Sequence, residues 1–177
     1  MTNKINLSFV KPYSPKDSFK ILKGIVMDYR KNASSGKPDW RNIKPGRVIF
    51  FKYDAKDKEH TFDKYPLTLV LKTSQSYMLG LNFHWCESHA KIRLVEKILA
   101  MNTDSKGGIR NPLKFTYEML KPLLTKKGYR LCLRLYIKKR LKSNAIIIDS
   151  KYLLDIARMR LSKFVDPSGS KPTTRPY

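Results

Sequence analysis

Residues 45–86 read PGRVIFFKYDAKDKEHTFDKYPLTLVLKTSQSYMLGLNFHWC, and this stretch decides the fold class. Pro45-Gly46 is a turn pair. Val48 to Tyr53 is β-branched and aromatic, as strands are. The polar run DAKDKEH connects it to a second strand, Leu67 to Leu71; TSQS then turns the chain into a third, Tyr77 to Phe83. Three short strands with tight connections predict a meander curling into a small barrel. Gly80, inside the third strand, suits a bend or a close backbone approach.

Helical periods flank this meander. Phe19, Leu22, Ile25, Val26 and Tyr29 fall at helical spacing, with Asp17 or Ser18 as cap and NASSGKP as stop. HAKIRLVEKILAMN puts Ile92, Val95, Ile98 and Leu99 on one face of a helix. FTYEMLKPLL reads as a short helix capped by Thr116 and limited by Pro122. Residues 126–143, KKGYRLCLRLYIKKRLKS, alternate with the period of a half-buried strand. Leu131, Leu133, Leu135 and Ile137 form its apolar side; Arg130, Cys132, Arg134, Tyr136 and Lys138 form the other. Ile146 to Ile148 is a short buried strand or an extended run, and Ser150 caps a final helix with Leu153, Ile156, Ala157 and Leu161 inward. The expectation is an α+β fold: a small, bent antiparallel β-sheet, an SH3-like barrel, with helices packed at the N-terminus, after the third strand and at the C-terminus. Residues 1–44 are expected to form an N-terminal extension with one helix, 45–165 the core domain, and 166–177 a flexible tail rich in Pro, Ser and Thr.

A chain of 177 residues with 41% apolar content buries a core without metal or disulfide. Its 37 Lys and Arg face 14 Asp and Glu, a net charge of +23. Such a surface repels itself unless a counter-charge is near, which points to nucleic acid, an anionic membrane or an acidic protein. No apolar run approaches a spanning helix. The opening MTNKINLSFVKPYSPK lacks the apolar core of a secretory signal. Nucleic acid is therefore the expected partner, and Cys86 and Cys132 are expected to be reduced and at least partly buried.

The charge concentrates. From residue 121 onward, fifteen Lys and Arg face three Asp, a net +12. Lys and Arg neutralise phosphates and release condensed counterions, giving salt-sensitive, sequence-independent binding. On a strand face, residues two apart stand about 6.6 Å apart, close to the phosphate repeat of one nucleic-acid strand. The candidate DNA-binding residues are Lys126, Lys127, Arg130, Arg134, Tyr136, Lys138, Lys139, Arg140, Lys142, Arg158 and Arg160, with Tyr136 placed to stack on a base or pack on a sugar.

Catalytic signatures are few. The sequence holds no Walker-type loop, dinucleotide fingerprint or Gly-x-Ser-x-Gly elbow. His84, Cys86 and His89 could bind zinc with Cys132 as a fourth ligand, but the spacing matches no common zinc module. Asp54, Asp57, Glu59 and Asp63 could surround a divalent ion with Lys58, Lys64 or a His nearby; a solvated, charge-balanced loop fits this Lys-interleaved run better. No cofactor is implied.

Three segments resemble a family of tailed-bacteriophage virion proteins, the DNA end protector proteins of T4-like phages. They are PGRVIFFKYDAKDKEHTFDKYPLTLVL, LGLNFHW with the helix after it, and FTYEMLKPL…YRLCLRLYIKKRLKSNAIIID. The family pattern has a glycine-led strand reaching Tyr-Asp, a YD-x-x-PL strand, then GLN-x-H. Tyr53-Asp54, Phe62 to Leu67, and Gly80, Leu81, Asn82 and His84 occupy these places, with Phe62 where the pattern has Tyr and Trp85 as the aromatic after His84. The resemblance implies a non-enzymatic virion protein that binds double-stranded viral DNA near its terminus and shields it from exonucleases, in the virion and, during assembly, the host cytoplasm. It supplies no catalytic residues. Tyr136 and Trp85 are candidates for a platform under the last base pair. Two other readings stand beside it. One is a neck, tail or baseplate component docking its basic face and tail on other virion proteins. The other is a nuclease or toxin-like ribonuclease dependent on Asp63 or His84.

Overall fold

The structure is a computed structural model that describes residues 10–32, 43–55, 63–115, 117–126, 129, 132–142 and 144–160. The NASSGKP stop beyond Asn32, Asp57, Glu59, Thr116, Lys127, Arg130, Leu131, Leu161 and the tail lie outside the described residues.

Helix α1 (Pro15–Asn32) precedes strand β1 (Val48–Phe50). Strands β2 (Leu67–Thr73) and β3 (Tyr77–Asn82) follow, then α2 (Ser88–Asn102) and α3 (Tyr117–Leu124). Strand β4 (Leu133–Ile137), β5 (Ile146–Ile148) and α4 (Leu153–Arg158) are the last described strands and helix. The five strands form one antiparallel sheet in the order β4-β3-β2-β1-β5. The edges β4 and β5 do not pair with each other, so the sheet is open and the expected SH3-like barrel does not close. Closing a barrel needs the sheet to pair with its own edge; here β5 occupies the free side of β1, and among the described residues the chain beyond β4 meets the chain beyond β1 only at the isolated Tyr53–Leu141 bridge.

Both faces of the sheet are buried, against separate cores. Val48, Leu69, Leu71, Leu81 and Ile148 face the helical layer and pack with Leu94, Ile98, Leu120, Leu153 and Ile156. Ile49, Phe51, Val70, Met78 and Tyr136 form a second cluster with Ile43 and Ala145. This two-sided burial explains why β2 reads LTLVL without polar alternation. It also corrects the reading of β4. Tyr136, assigned to the open face, is 4% exposed, while Leu135, assigned to the core, is 61% exposed. The second cluster covers Tyr136, and the helical layer stops short of Leu135 on this edge strand. Cys132 is fully buried because it sits in a 3₁₀ turn before the strand, where alternation does not apply.

Helix α1 buries Leu22 and Ile25 but leaves Phe19 exposed. Its cap is Ser14, whose Oγ accepts from the Asp17 N–H at 3.1 Å; Ser18 is buried and donates to the Ser14 carbonyl. Likewise Asp149 caps the turn before α4, accepting from the Lys151 N–H, while Ser150 donates to the Arg110 carbonyl. Gly80 is a close approach: a Cβ there would lie 2.2 Å from Thr68 Cγ2 and 3.4 Å from the Tyr136 ring. Gly46 has φ +85°, and a Cβ would meet the Leu113 carbonyl oxygen at 1.9 Å.

Inside α2 the sequence places a lysine in the core. Lys91 is buried and its Nζ donates to the Met159 carbonyl, pinning α2 to the end of α4. Burial holds its pKa down to about 8; the Cys86 and Cys132 thiols oppose this and Arg160 adds to it. Burial also pushes the Cys86 thiol well above its ordinary range, helped by its hydrogen bond with Cys132. Both cysteines are free thiols.

Two outcomes follow from this packing. Gly46→Ala should lower unfolding free energy by at least about 2 kcal/mol in urea titrations, from positive-φ strain and backbone overlap together. The second concerns pH. Between about 8 and its ordinary 10.5, Lys91 binds a proton more readily unfolded than folded, so stability rises with pH from about 8. Above 9 the raised Cys86 works in the opposite sense, so the rise is read between pH 7.5 and 9. Wild type should gain about 1 kcal/mol there, while Lys91→Met should show no gain.

Candidate nucleic-acid interface

Strand β4 runs into a 3₁₀ turn, Lys138–Arg140, and then crosses the end of the sheet toward β5. Backbone hydrogen bonds hold this crossing. The Lys138 N–H donates to the Ser76 carbonyl at 2.9 Å, the Asp54 N–H to Arg140 at 3.0 Å, and the Lys142 N–H to Lys52 at 2.9 Å. Leu141 pairs with Tyr53 in an antiparallel bridge, and the Tyr53 hydroxyl accepts from the Ile137 N–H at 3.2 Å. The seam therefore gathers Lys138, Lys139, Arg140 and Lys142 at one end of the sheet and adds Lys52, which charge counting from residue 121 onward could not include.

Asp54 sits inside this ridge. Its Oδ2 lies 3.8 Å from both Arg140 Nη1 and Lys142 Nζ. Arg140 Nη1 also donates to the carbonyls of Asp54 and Ala55, at 3.4 and 3.2 Å, so this arginine partly serves the fold. Lys52, Lys139 and Lys142 are exposed. Solvent-exposed pairs at such distances are worth about 0–1 kcal/mol, so Asp54 offsets the charge of Arg140 and Lys142 only weakly.

The other candidates fall elsewhere. Arg134 stacks on Trp85, its guanidinium 4.1 Å from the ring centroid. Arg158 lies 4.0 Å from the Tyr13 ring and donates from Nε to the Lys11 carbonyl. The Arg160 N–H donates to Ser18. Lys126 is exposed after α3, and Lys127 and Arg130 are outside the described residues. Tyr136 is not on the interface: its ring makes edge contacts with Phe51 and Tyr53, with centroids 5.2 and 5.1 Å away. Its hydroxyl accepts from Thr68 at 3.3 Å, and burial drives its pKa far upward. A platform built from Tyr136 and Trp85 is thus not formed; Trp85 offers a half-buried indole already paired with Arg134.

Three residues of the family pattern, Asp63, Asn82 and His84, converge on a buried clasp. Asp63 Oδ2 accepts from Asn82 Nδ2 at 2.9 Å and faces His84 Nδ1 at 2.6 Å, while Oδ1 accepts from the Tyr65 N–H at 3.0 Å. Asn82 Oδ1 accepts from the His84 N–H at 2.9 Å. The His84 and Asp63 side chains are 8% and 3% exposed, and His84 Nε2 is buried with no hydrogen-bond partner among the described residues. A carboxylate that receives three donors in the interior ties the turn opening β2 to the end of β3. The four potential zinc ligands do not converge: His84 turns to Asp63, His89 Nε2 lies 3.4 Å from Glu87, and Cys86 and Cys132 are buried free thiols. Among the described residues no group of three or more His, Cys, Asp and Glu is placed to hold a metal ion, and no helix is long and apolar enough to cross a membrane.

The molecule is thus a basic α+β protein with an open antiparallel sheet and a positive ridge at one end. It belongs to the Phage T4 terminal DNA protecting protein family, whose model matches residues 16–173. No curated protein and no solved structure matches the chain.

The clasp has a direct test. Asp63→Ala leaves the Asn82, His84 and Tyr65 donors without their acceptor, the first of them fully buried, and should cost about 3 kcal/mol of unfolding free energy. A loss below about 1 kcal/mol in denaturant titrations would show that the clasp does not hold the strands together.

Proposed function

We propose that this protein is a non-enzymatic virion component that binds the end of the double-stranded phage genome and shields it from exonucleases by occupying it. The observation that carries the proposal is the gathering of Lys52, Lys138, Lys139, Arg140 and Lys142 along one hydrogen-bonded seam in a chain of net charge +23. Family membership gives the context of a DNA terminus. A ridge of this kind suits phosphates: lysines act as point charges, and their binding gains come from counterion release. Steric occupation of an end needs no chemistry, and the family pattern's Asp63 and His84 are accounted for by packing. The site of action would be the virion, and the host cytoplasm during assembly.

A second reading has its own observation. The edge strand β4 carries Leu135 at 61% exposure, beside β3 with Tyr77 half exposed. An open edge with exposed apolar side chains suits a neighbouring protein chain. The ridge and this edge would then serve a virion protein at the neck, tail or baseplate.

Salt dependence separates the two. With four or five phosphate contacts, log K for duplex binding should fall against log salt with a slope of about −4. Replacing Lys138, Lys139 and Lys142 together by Gln should reduce the slope by about 3 and weaken binding to all sequences alike. Filter binding or fluorescence anisotropy from 50 to 300 mM salt reads both. Duplex binding with no salt slope, or a slope unchanged in the triple variant, would remove the ridge from DNA contact and favour the protein-docking reading.

A further inference from the structure

At the opposite edge of the sheet from β4, a pocket of about 410 Å³ opens between α1, β5 and the start of α4. Its floor is apolar, formed by Ile25, Ile147 and Ile148. Two half-buried tyrosines, Tyr29 and Tyr152, stand in its walls. The rim carries Arg47 and Lys151, and two carboxylates, Asp28 and Asp149. The polar groups are arranged rather than loose. Arg47 Nη1 donates to Asn111 Oδ1 at 2.8 Å, the Tyr152 hydroxyl donates to Asp28 Oδ2 at 2.7 Å, and Lys151 Nζ lies 3.6 Å from the same oxygen and 4.8 Å from the Tyr152 ring centroid.

The composition of this pocket selects a ligand class. Two cations are matched by two carboxylates, so a bare phosphate gains little net charge attraction there. The net positive charge of the chain is therefore not what this pocket offers. It combines an apolar floor, aromatic walls, carboxylate acceptors and guanidinium and ammonium donors within a volume typical of small-molecule sites. A nucleotide meets each of these: its base packs on tyrosine rings, its ring and exocyclic N–H groups reach carboxylates, and its phosphate reaches Arg47 or Lys151 at the rim. Stacking is tolerant of base identity, as a protein acting on a genome end of any sequence requires.

We propose that this pocket receives the unpaired or frayed terminal nucleotide of the DNA, while the ridge at the β4–β5 crossing holds the duplex phosphates. This rests on the DNA-end reading above and supplies what the ridge alone lacks, a feature that separates an end from the middle of a duplex. The two elements are joined through the chain itself, since the ridge runs directly into β5 and β5 forms the pocket floor.

The test uses the full-length protein and two probes. First, deoxyadenosine 5′-monophosphate is titrated into ¹⁵N-labelled protein, with inorganic phosphate as the comparison. Amide shifts at Tyr29 and at 147–152 with the nucleotide, and none there with phosphate, are the expected result. An absence of nucleotide shifts at these residues overturns the proposal. Second, affinities for a linear duplex with a short single-stranded end and for a closed circle are compared in Tyr29→Ala and Arg47→Lys, both of which preserve net charge. The preference for the linear form should fall about tenfold, with circle affinity unchanged. A preference that survives both substitutions overturns the pocket's role and leaves the end-binding function standing. Nucleotide shifts at the pocket in a protein with no preference for linear DNA would overturn the end-binding reading, and with it the terminal-nucleotide assignment.

Discussion

Everything distinctive about this molecule depends on the backbone seam between residues 52–54 and 138–142. Five cations within one short span repel one another, and no amount of salt screening makes their grouping favourable by itself. The seam overcomes that repulsion with groups that carry no net charge. Two backbone hydrogen bonds, Asp54 to Arg140 and Lys142 to Lys52, make the Tyr53–Leu141 bridge; with the Lys138–Ser76 bond they fix the path of the chain, and the aromatic cluster of Phe51, Tyr53 and Tyr136 packs beside it. Among the described residues, the Asp54 carboxylate lies 3.8 Å from two of these cations, Arg140 and Lys142. The ridge is held by neutral hydrogen bonds and apolar packing, so its path does not depend on neutralising its positive charge.

The same seam explains the assignment of the tyrosine. Tyr136 lies on the strand face that a periodic reading gives to solvent, between Arg134 and Lys138. Its burial is what the ridge rests on: the ring packs over Gly80, where no side chain intervenes, and its hydroxyl meets Thr68 in the interior. A charged neighbour on either side does not make a residue exposed when the sheet has a second core.

Local pattern made most elements legible. The strands at 48–50, 67–73, 77–82 and 146–148 carry β-branched and aromatic runs bounded by turn residues, and α2 has an unbroken helical period. The sheet's openness was not legible, because strand order and the attachment of β5 beside β1 are long-range facts. Nor was the two-sided burial of β4, since alternation alone does not say how many cores a sheet has. The ridge was half visible: Lys138, Lys139, Arg140 and Lys142 are neighbours in sequence, whereas Lys52 joins them only through the seam. The family pattern was visible as letters, but not the hydrogen bonds that bring Asp63, Asn82 and His84 together in a buried clasp, since Asp63 is 19 residues from Asn82. The pocket beside β5 draws Tyr29, Arg47 and Tyr152 from three distant segments, so no spacing announces it.

The central claim is that the protein protects a DNA terminus by occupying it. The most direct measurement is digestion of a linear duplex by a processive double-strand exonuclease, with protein added at increasing ratios to DNA ends. Protection should saturate near a fixed small number of molecules per end, independent of duplex length. Protection that scales with duplex length, or digestion that proceeds unhindered while the protein remains bound to the DNA, would contradict it.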